Sequence, residues 1–299
     1  MSIRRISSRR FPGTKKDILS QIRELLQRAT TELTESDSAR LDAQLLLAEV
    51  LGVDRTWLIT WSDKDVEKPK EIDFLNLLAR RKAGEPIAHI LGRREFWGRD
   101  FACNKNTLIP RPDTERLIEL ILTLDLPKQA KILDLGTGTG CIALTLAAER
   151  PEWQVHAVDQ SSDALKVAEQ NKASLGLENV ELIQGDWFEP VSSELGFDLI
   201  VSNPPYIDPE SPYLKEGDVR FEPDLALTSD RRGIAALEHI IGAGKTYLNP
   251  NGWLAVEHGF DQAAPVHRLF VESDWQKIQQ AKDLADLDRC TMGQFICRL

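Results

Sequence analysis

No stretch of the 299 residues approaches 18 consecutive apolar positions, so no segment reads as a membrane-spanning helix. The N-terminus is positively charged but lacks an apolar core behind the charge, so it does not read as a secretory signal. Cysteine is scarce. Cys103, Cys141, Cys290 and Cys297 lie scattered with no CxxC pair, which points to reduced thiols in a cytoplasmic protein. The histidines (His89, His156, His239, His258 and His267) show neither an HExxH motif nor paired spacing, and no metal site is expected. Basic charge is also lacking. Lys and Arg number 37 against 47 Asp and Glu, a formal charge of −10. Arg4, Arg5, Arg9, Arg10, Lys15 and Lys16 fall in an acid-free start, which leaves −16 on the remainder. Such a body is a poor match for a nucleic-acid backbone, because counterion release needs clustered Lys and Arg. Internal repeats and low-complexity segments are absent.

What is present is a globular composition, 42% hydrophobic and 28% charged, at a length that suits two domains or one large one. Residues 1–16 read as a flexible tail. From Asp17 to about Ala83 the apolar positions keep helical spacing, as in Ile18, Ile22, Leu25, Leu26 and Ala29 and again in Leu41, Leu45, Leu46, Val50 and Leu51. Ser36 or Ser38 is placed to cap the second helix and Gly52 to end it, and a third run covers Ile72 to Lys82. Residues 1–85 are therefore expected to form a small helical domain. Residues 86–112 read as a linker with a short hairpin around Glu95–Phe101, followed by Ile109, Pro110, Arg111 and Pro112, a stiff lip between the domains.

Over residues 113–299 strands and helices alternate. The expected strands are Lys131–Leu135, Val155–Asp159, Val180–Ile183, Asp198–Ser202, Trp253–Glu257, Lys277–Ala281 and Gln294–Leu299, and a long helix is expected over Ile234–Leu248. Near-continuous apolar strands separated by helices imply an α/β domain with a mostly parallel, doubly wound sheet.

Three features at the strand ends carry chemistry. Asp134 and Leu135 run into Gly136, Thr137, Gly138, Thr139 and Gly140, a glycine loop between a strand and a helix. The dinucleotide fingerprint would need glycine where Cys141 stands. The spacing is GxGxG instead, and it resembles class I S-adenosylmethionine methyltransferases. Asp159 ends the next strand, where a carboxylate accepts from two ribose hydroxyls. Asp186 and Trp187 follow the third strand and suit an exocyclic amine and a ring face. After the fourth strand comes Asn203, Pro204, Pro205 and Tyr206. Two prolines remove two N–H donors, leaving the Asn203 oxygen and the Pro204 carbonyl as acceptors for both hydrogens of a planar NH₂ group, against which Tyr206 can lie. Gly242–Thr246 imitates the end of a P-loop, but position 239 is histidine and the segment continues a helical pattern.

The wider pattern resembles the HemK/PrmC family, the peptide chain release factor glutamine methyltransferases, over nearly the whole chain. It is carried by Arg40–Ala43, Gly92–Trp97, Ile109–Glu115, the glycine loop, Asn203–Tyr206 and Val219–Pro223. The family usually has Glu at Asp113, an apolar residue at His258 and Gly near Asp286. The resemblance implies a class I methyltransferase domain preceded by an all-α domain that recognises release factor. It also implies methyl transfer from S-adenosylmethionine, with S-adenosylhomocysteine as product, to the glutamine amide of a Gly-Gly-Gln loop. Gly136–Gly140, Asp159, Asp186, Trp187 and Asn203 would then hold the cofactor, and Asn203–Tyr206 with Arg111 the substrate. A monomer acting on a protein is expected, with no membrane or direct nucleic-acid partner. Two other readings stay open: an adenine-amine methyltransferase on RNA or DNA, and a non-catalytic module that keeps the cofactor fold.

Overall fold

The computed structural model describes residues 19–297, so the expected basic tail lies outside the described part. The chain divides into two compact units, Met1–Ala83 and Gly84–Leu299.

The first unit is helical. Helices Ile22–Glu32, Ala39–Leu51, Arg55–Thr60 and Lys68–Lys82 bury Ile22, Leu25, Ala29, Leu46, Leu47, Leu58, Phe74 and Leu78. The short helix Arg55–Thr60 stands between the second and third of the expected runs; Asp54 caps it by accepting from the Trp57 N–H at 2.7 Å. Gly52 ends the preceding helix in the left-handed conformation that glycine adopts without a Cβ penalty. Ser38 stands at that helix's N-cap position, but its hydroxyl makes no capping bond to the backbone. Instead Ser36 and Ser38 donate to Asp42 at 2.7 and 2.8 Å, and Arg81 Nε pairs with the same carboxylate at 2.8 Å. Asp42 is buried, so these three donors are what make its charge tolerable there.

The second unit opens with helix Ile87–Leu91 and a hairpin of β1 (Arg93–Phe96) and β2 (Arg99–Ala102). Trp97 and Gly98, both with positive φ, form the two-residue turn that the strand twist favours. The hairpin belongs to this unit and is tied into it: Asn171 accepts from the Ala102 N–H at 2.7 Å and donates to the Ala102 and Thr139 carbonyls. A seven-stranded sheet follows, made of β3 (Lys131–Leu135), β4 (Gln154–Asp159), β5 (Val180–Gln184), β6 (Phe197–Ser202), β7 (Leu248–Glu257), β8 (Gln276–Lys282) and β9 (Asp288–Gln294). The order is β5-β4-β3-β6-β7-β9-β8, parallel from β5 to β7, with antiparallel β9 and β8. Alternate residues of each strand enter separate cores. Ile132, Val155, Leu199 and Ala255 meet helices Glu115–Leu122 and Cys141–Glu149, whereas Leu133, Val158, Ile200 and Leu254 meet Ala235–Ala243 and Ala263–Glu272. This is the class I methyltransferase fold.

Two boundaries differ from expectation. The final strand is Asp288–Gln294 rather than Gln294–Leu299, because Asp288 and Arg289 hide its polar start. Arg289 there bonds Asp283, across the turn from β8, at 2.9 Å. Asp286 sits in that turn at φ 62, the left-handed region in which the family's glycine is free of strain. The helix expected over Ile234–Leu248 stops at Ala243, a 3-10 turn spans Gly244–Tyr247, and β7 begins at Leu248. The P-loop imitation therefore lies on a helix end ahead of a strand, the reverse of the order a phosphate loop needs.

Candidate active site

A cavity of about 960 Å³, part of it open to solvent, sits at the carboxyl ends of β3 to β6. Open parallel sheets bind ligands there, at the point where strand order reverses, which here is between β3 and β6.

The glycine loop forms one wall. Gly136, Gly138 and Gly140 all have positive φ, so the chain between β3 and helix Cys141–Glu149 is wound in a way that side chains resist. A Cβ at Gly138 would meet nothing within 4 Å, so its bare backbone adjoins open cavity. At Gly140 a Cβ would lie 2.8 Å from Leu144 Cδ1; this glycine lets the helix start close-packed and does not line the cavity. Beneath the loop, buried Asp134 accepts from the Thr137 hydroxyl at 2.6 Å, and burial pushes its pKa up to about 7. Asp159 accepts from Gly138 N–H at 2.8 Å and Ser161 N–H at 2.9 Å. Burial raises its pKa and these two donors oppose the shift. Each of its oxygens keeps a further lone pair for a ligand. Asp186 and Trp187 join the wall from the end of β5. Trp187 holds φ 46, and its ring edge lies 3.6 Å from where a Gly136 Cβ would stand. Cys141 also lines the cavity, and burial pushes its thiol up to about 12.

The opposite wall is built from distant parts of the chain. Asn203 and Pro205 line it, whereas Pro204 is buried and is not among the lining residues. Asn203 Nδ2 donates to Thr114 Oγ1 at 3.2 Å, which leaves its Oδ1 as the acceptor. Tyr206, expected to lie flat against a substrate amide, does not line the cavity. Its hydroxyl donates to Glu257 Oε1 at 3.1 Å and its ring packs on the apolar core, so it holds the turn from behind. The Tyr206 carbonyl accepts from Gln262 Nε2 at 2.9 Å. Gly233 presses on the same carbonyl so closely that a Cβ would stand 2.0 Å from the oxygen. Gly233 closes a run of three left-handed residues, with Arg231 at φ 54 and Arg232 at φ 61. Arg111 lines the cavity but its guanidinium is paired with the buried Glu222, which also accepts from Ile109 N–H at 2.9 Å. That pair ties the Pro110–Pro112 segment to the loop before Pro223.

The sequence reading missed Thr114, Asn171, Glu222, Gly233, Glu257 and Gln262. Thr114 and Glu222 lay inside segments already tied to the family, and Glu257 carried the same strand-end signal as Asp134 and Asp159. The other three have no local pattern that marks them.

Known proteins place this arrangement. A family model described as a PrmC N-terminal domain matches residues 24–92, and one described as a methyltransferase domain matches residues 126–291. The release factor glutamine methyltransferase of Shewanella oneidensis is 48% identical over 93% of this chain and 97% of its own. That of Escherichia coli is 42% identical over 90% of this chain and 97% of its own. Among solved structures, a methyltransferase from Pyrococcus furiosus matches at a TM-score of 0.51 and 18% identity, over 74% of this chain and all but 1% of its own (99%), which shows the shared fold. With these relatives alike over nearly their full lengths, the chain belongs to the release factor glutamine methyltransferase family and is a protein-glutamine methyltransferase.

Proposed function

We propose that the chain methylates the side-chain amide nitrogen of the glutamine in the Gly-Gly-Gln loop of class 1 release factors, with S-adenosylmethionine as donor. The observation that carries this reading is the polarity of Asn203: its NH₂ is committed to Thr114, so an acceptor remains for the substrate's own NH₂. A cavity whose wall offers bare glycine backbone, a carboxylate with spare lone pairs and an indole suits a diol, a planar base and a flexible amino-acid chain. Asp159 would take the ribose hydroxyls, Trp187 with Asp186 the adenine, and Gly136–Thr139 the methionine portion through backbone groups, with Gly140 serving only to start the helix.

When bound, S-adenosylmethionine supplies a methyl on a sulfonium, which leaves as the thioether S-adenosylhomocysteine while the amide nitrogen takes the methyl. The chain's part is alignment and the exclusion of water. An amide nitrogen is a weak nucleophile because its lone pair is delocalised. Holding both hydrogens on Asn203 Oδ1 and the Pro204 carbonyl turns that lone pair toward the methyl group. One proton leaves the nitrogen after transfer, so no strong base is needed beforehand. Arg111, anchored by Glu222, would shape the entry for the substrate loop. In the helical unit, a cleft lined by Arg40, Leu41, Gln44, Arg55 and Ile59, with Ile59 and Leu41 exposed, is the surface offered to the release factor body. The reaction is assigned to the cytoplasm.

The test is incubation with methyl-labelled S-adenosylmethionine plus release factor, or plus total RNA. Label on the release factor glutamine is expected. Label in RNA alone would establish an adenine-amine methyltransferase, and label in neither a binding module.

A further inference from the structure

We infer that Glu257 is a positioning residue: by taking the hydrogen of the Thr114 hydroxyl it forces Asn203 to present its oxygen, not its NH₂, to the substrate. This rests on the functional reading above and names the part of the chain that sets the site's polarity.

An asparagine side chain is nearly symmetric in shape, so packing alone does not decide which end faces a ligand. The hydrogen-bond network decides. The partner of Asn203 is Thr114 Oγ1, at 3.2 Å from Nδ2. A hydroxyl has one hydrogen and two lone pairs, and it would serve either end of the amide equally well if left alone. It is not left alone. Thr114 is 2% exposed, and its hydroxyl lies beside the Glu257 carboxyl, where it opposes the rise in that group's pKa without a close hydrogen bond to it. Glu257 is 1% exposed and lies outside the cavity lining. Its Oε1 accepts from the Tyr206 hydroxyl at 3.1 Å, while its Oε2 is buried without a hydrogen-bond partner. An ionised carboxylate only accepts, and it draws hydrogens more strongly than a neutral amide oxygen does. With the Thr114 hydrogen held by Glu257, only lone pairs face Asn203, and Nδ2 must point to them. The orphaned Oε2 leaves room for that contact to tighten when a substrate binds, as hydrogen bonds in ligand-free sites often do.

The strand register puts the groups side by side. β6 and β7 are parallel neighbours with Ser202 opposite Val256, so Asn203 and Glu257 emerge together at the carboxyl edge. Thr114 reaches the same edge from the Pro112–Thr114 turn. The single carboxylate thereby holds both ends of the motif, Asn203 through Thr114 and Tyr206 directly.

The arrangement is sensitive to protonation. Burial pushes Glu257 up to about 7, against the Thr114 hydroxyl, Arg289 and the Tyr206 hydroxyl, while Asp113 adds to the rise. Cys290 on β9 and Cys141 on the helix after the glycine loop also face it, both held as neutral thiols. Once protonated, Glu257 has a hydrogen of its own to give Thr114. The threonine hydrogen is then released to Asn203, the amide turns over, and NH₂ meets NH₂. Glu257→Gln removes the obligatory acceptor at every pH, because its amide can donate to Thr114 as readily as accept from it.

The experiment measures kcat and KM across the neutral pH range for the full-length enzyme with release factor and S-adenosylmethionine. Equilibrium binding of S-adenosylmethionine reports that each variant is folded. The wild type is expected to lose kcat on the acid side of about pH 7. Glu257→Gln should bind S-adenosylmethionine normally, lose kcat by about 10²-fold, the scale of one preorganised hydrogen bond, and lose the acid limb. Thr114→Val should show the same loss, and Thr114→Ser should recover most of it, which a purely structural role would not reproduce. If Glu257→Gln fails to fold, the threonine pair decides alone. A wild type that leaves release factor unlabelled overturns the functional reading and this inference with it. A wild type that labels it, with Thr114→Val as active as Thr114→Ser or with Glu257→Gln keeping both kcat and the acid limb, overturns the inference only.

Discussion

The two walls of the cavity are made in opposite ways. The glycine loop and Asp159 come from a stretch of about two dozen residues, and the bonds that shape them run from backbone N–H groups and the Thr137 hydroxyl to nearby carboxylates. The Asn203 wall brings together Thr114, Tyr206, Gly233, Glu257 and Gln262, residues up to 148 positions apart in the chain numbering, through side-chain bonds and one close backbone contact. A wall built locally is robust to remote change, and damage to it should weaken ligand affinity. A wall assembled from distant pieces is vulnerable at each piece, and damage there should slow turnover while affinity for the cofactor survives.

The sharpest break is Asn203→Ala. It removes the acceptor and should lower kcat by about 10³-fold, with binding of S-adenosylmethionine partly retained in calorimetry. Near-normal turnover would refute the alignment mechanism. Gly233→Ala comes next. Its Cβ cannot coexist with the Tyr206 carbonyl at 2.0 Å, and φ 81 is strained for alanine, so the motif must shift. A displacement near 1 Å at a reacting group costs about 10²-fold in kcat, with cofactor affinity little changed. Unaltered kcat would show that the left-handed turn does not hold the motif. Asp159→Ala tests the other wall. It should weaken S-adenosylmethionine binding by about 10-fold to 10²-fold, while kcat at saturation stays close to wild type, the size expected for hydrogen bonds to a charged acceptor. A kcat effect larger than the affinity effect would erase the contrast.

The smallest effect is on stability. Asp134 titrates near 3.8 when unfolded and about 7 in the fold, so the folded state holds a proton that the unfolded chain releases. The stability tied to that proton is complete below the unfolded value and is lost as pH rises through the folded one. Asp134→Asn does not titrate. Its Tm relative to wild type should therefore be higher by a larger margin at about pH 8 than at about pH 5. An equal margin at both would mean that the buried carboxyl is not protonated in the fold.

The same division explains what could be read in the sequence. The glycine loop, Asp159 and the Asn-Pro-Pro-Tyr turn are contiguous words, each attached to a strand whose apolar run announces it. The parallel direction of strands β3 to β7 follows from their alternation with helices, whereas their order in the sheet does not. The sequence ties Thr114 to a family segment but not to Asn203, because nothing in its spacing tells which side chain its hydroxyl meets. It is silent on Gln262, whose amide bonds the Gly259 N–H and the Tyr206 carbonyl and so looks like any polar residue at a helix start. Gly233 stands in no motif, and only the approach of the Tyr206 carbonyl shows why a larger residue fails. Asp288 and Arg289 open a strand with charges, and nothing short of the Asp283 pairing explains why that edge of the sheet tolerates them.

Cys141 has a chemical consequence of its own. A thiolate is a far better acceptor of a methyl group than an amide nitrogen, and Cys141 is one of the residues lining the cavity proposed to hold an alkylating reagent. Burial that raises the thiol to about 12 leaves on the order of 10⁻⁵ of it ionised at neutral pH. On the proposed function, the chain would thereby be spared by its own reagent, its thiol kept neutral by the apolar packing around Cys141.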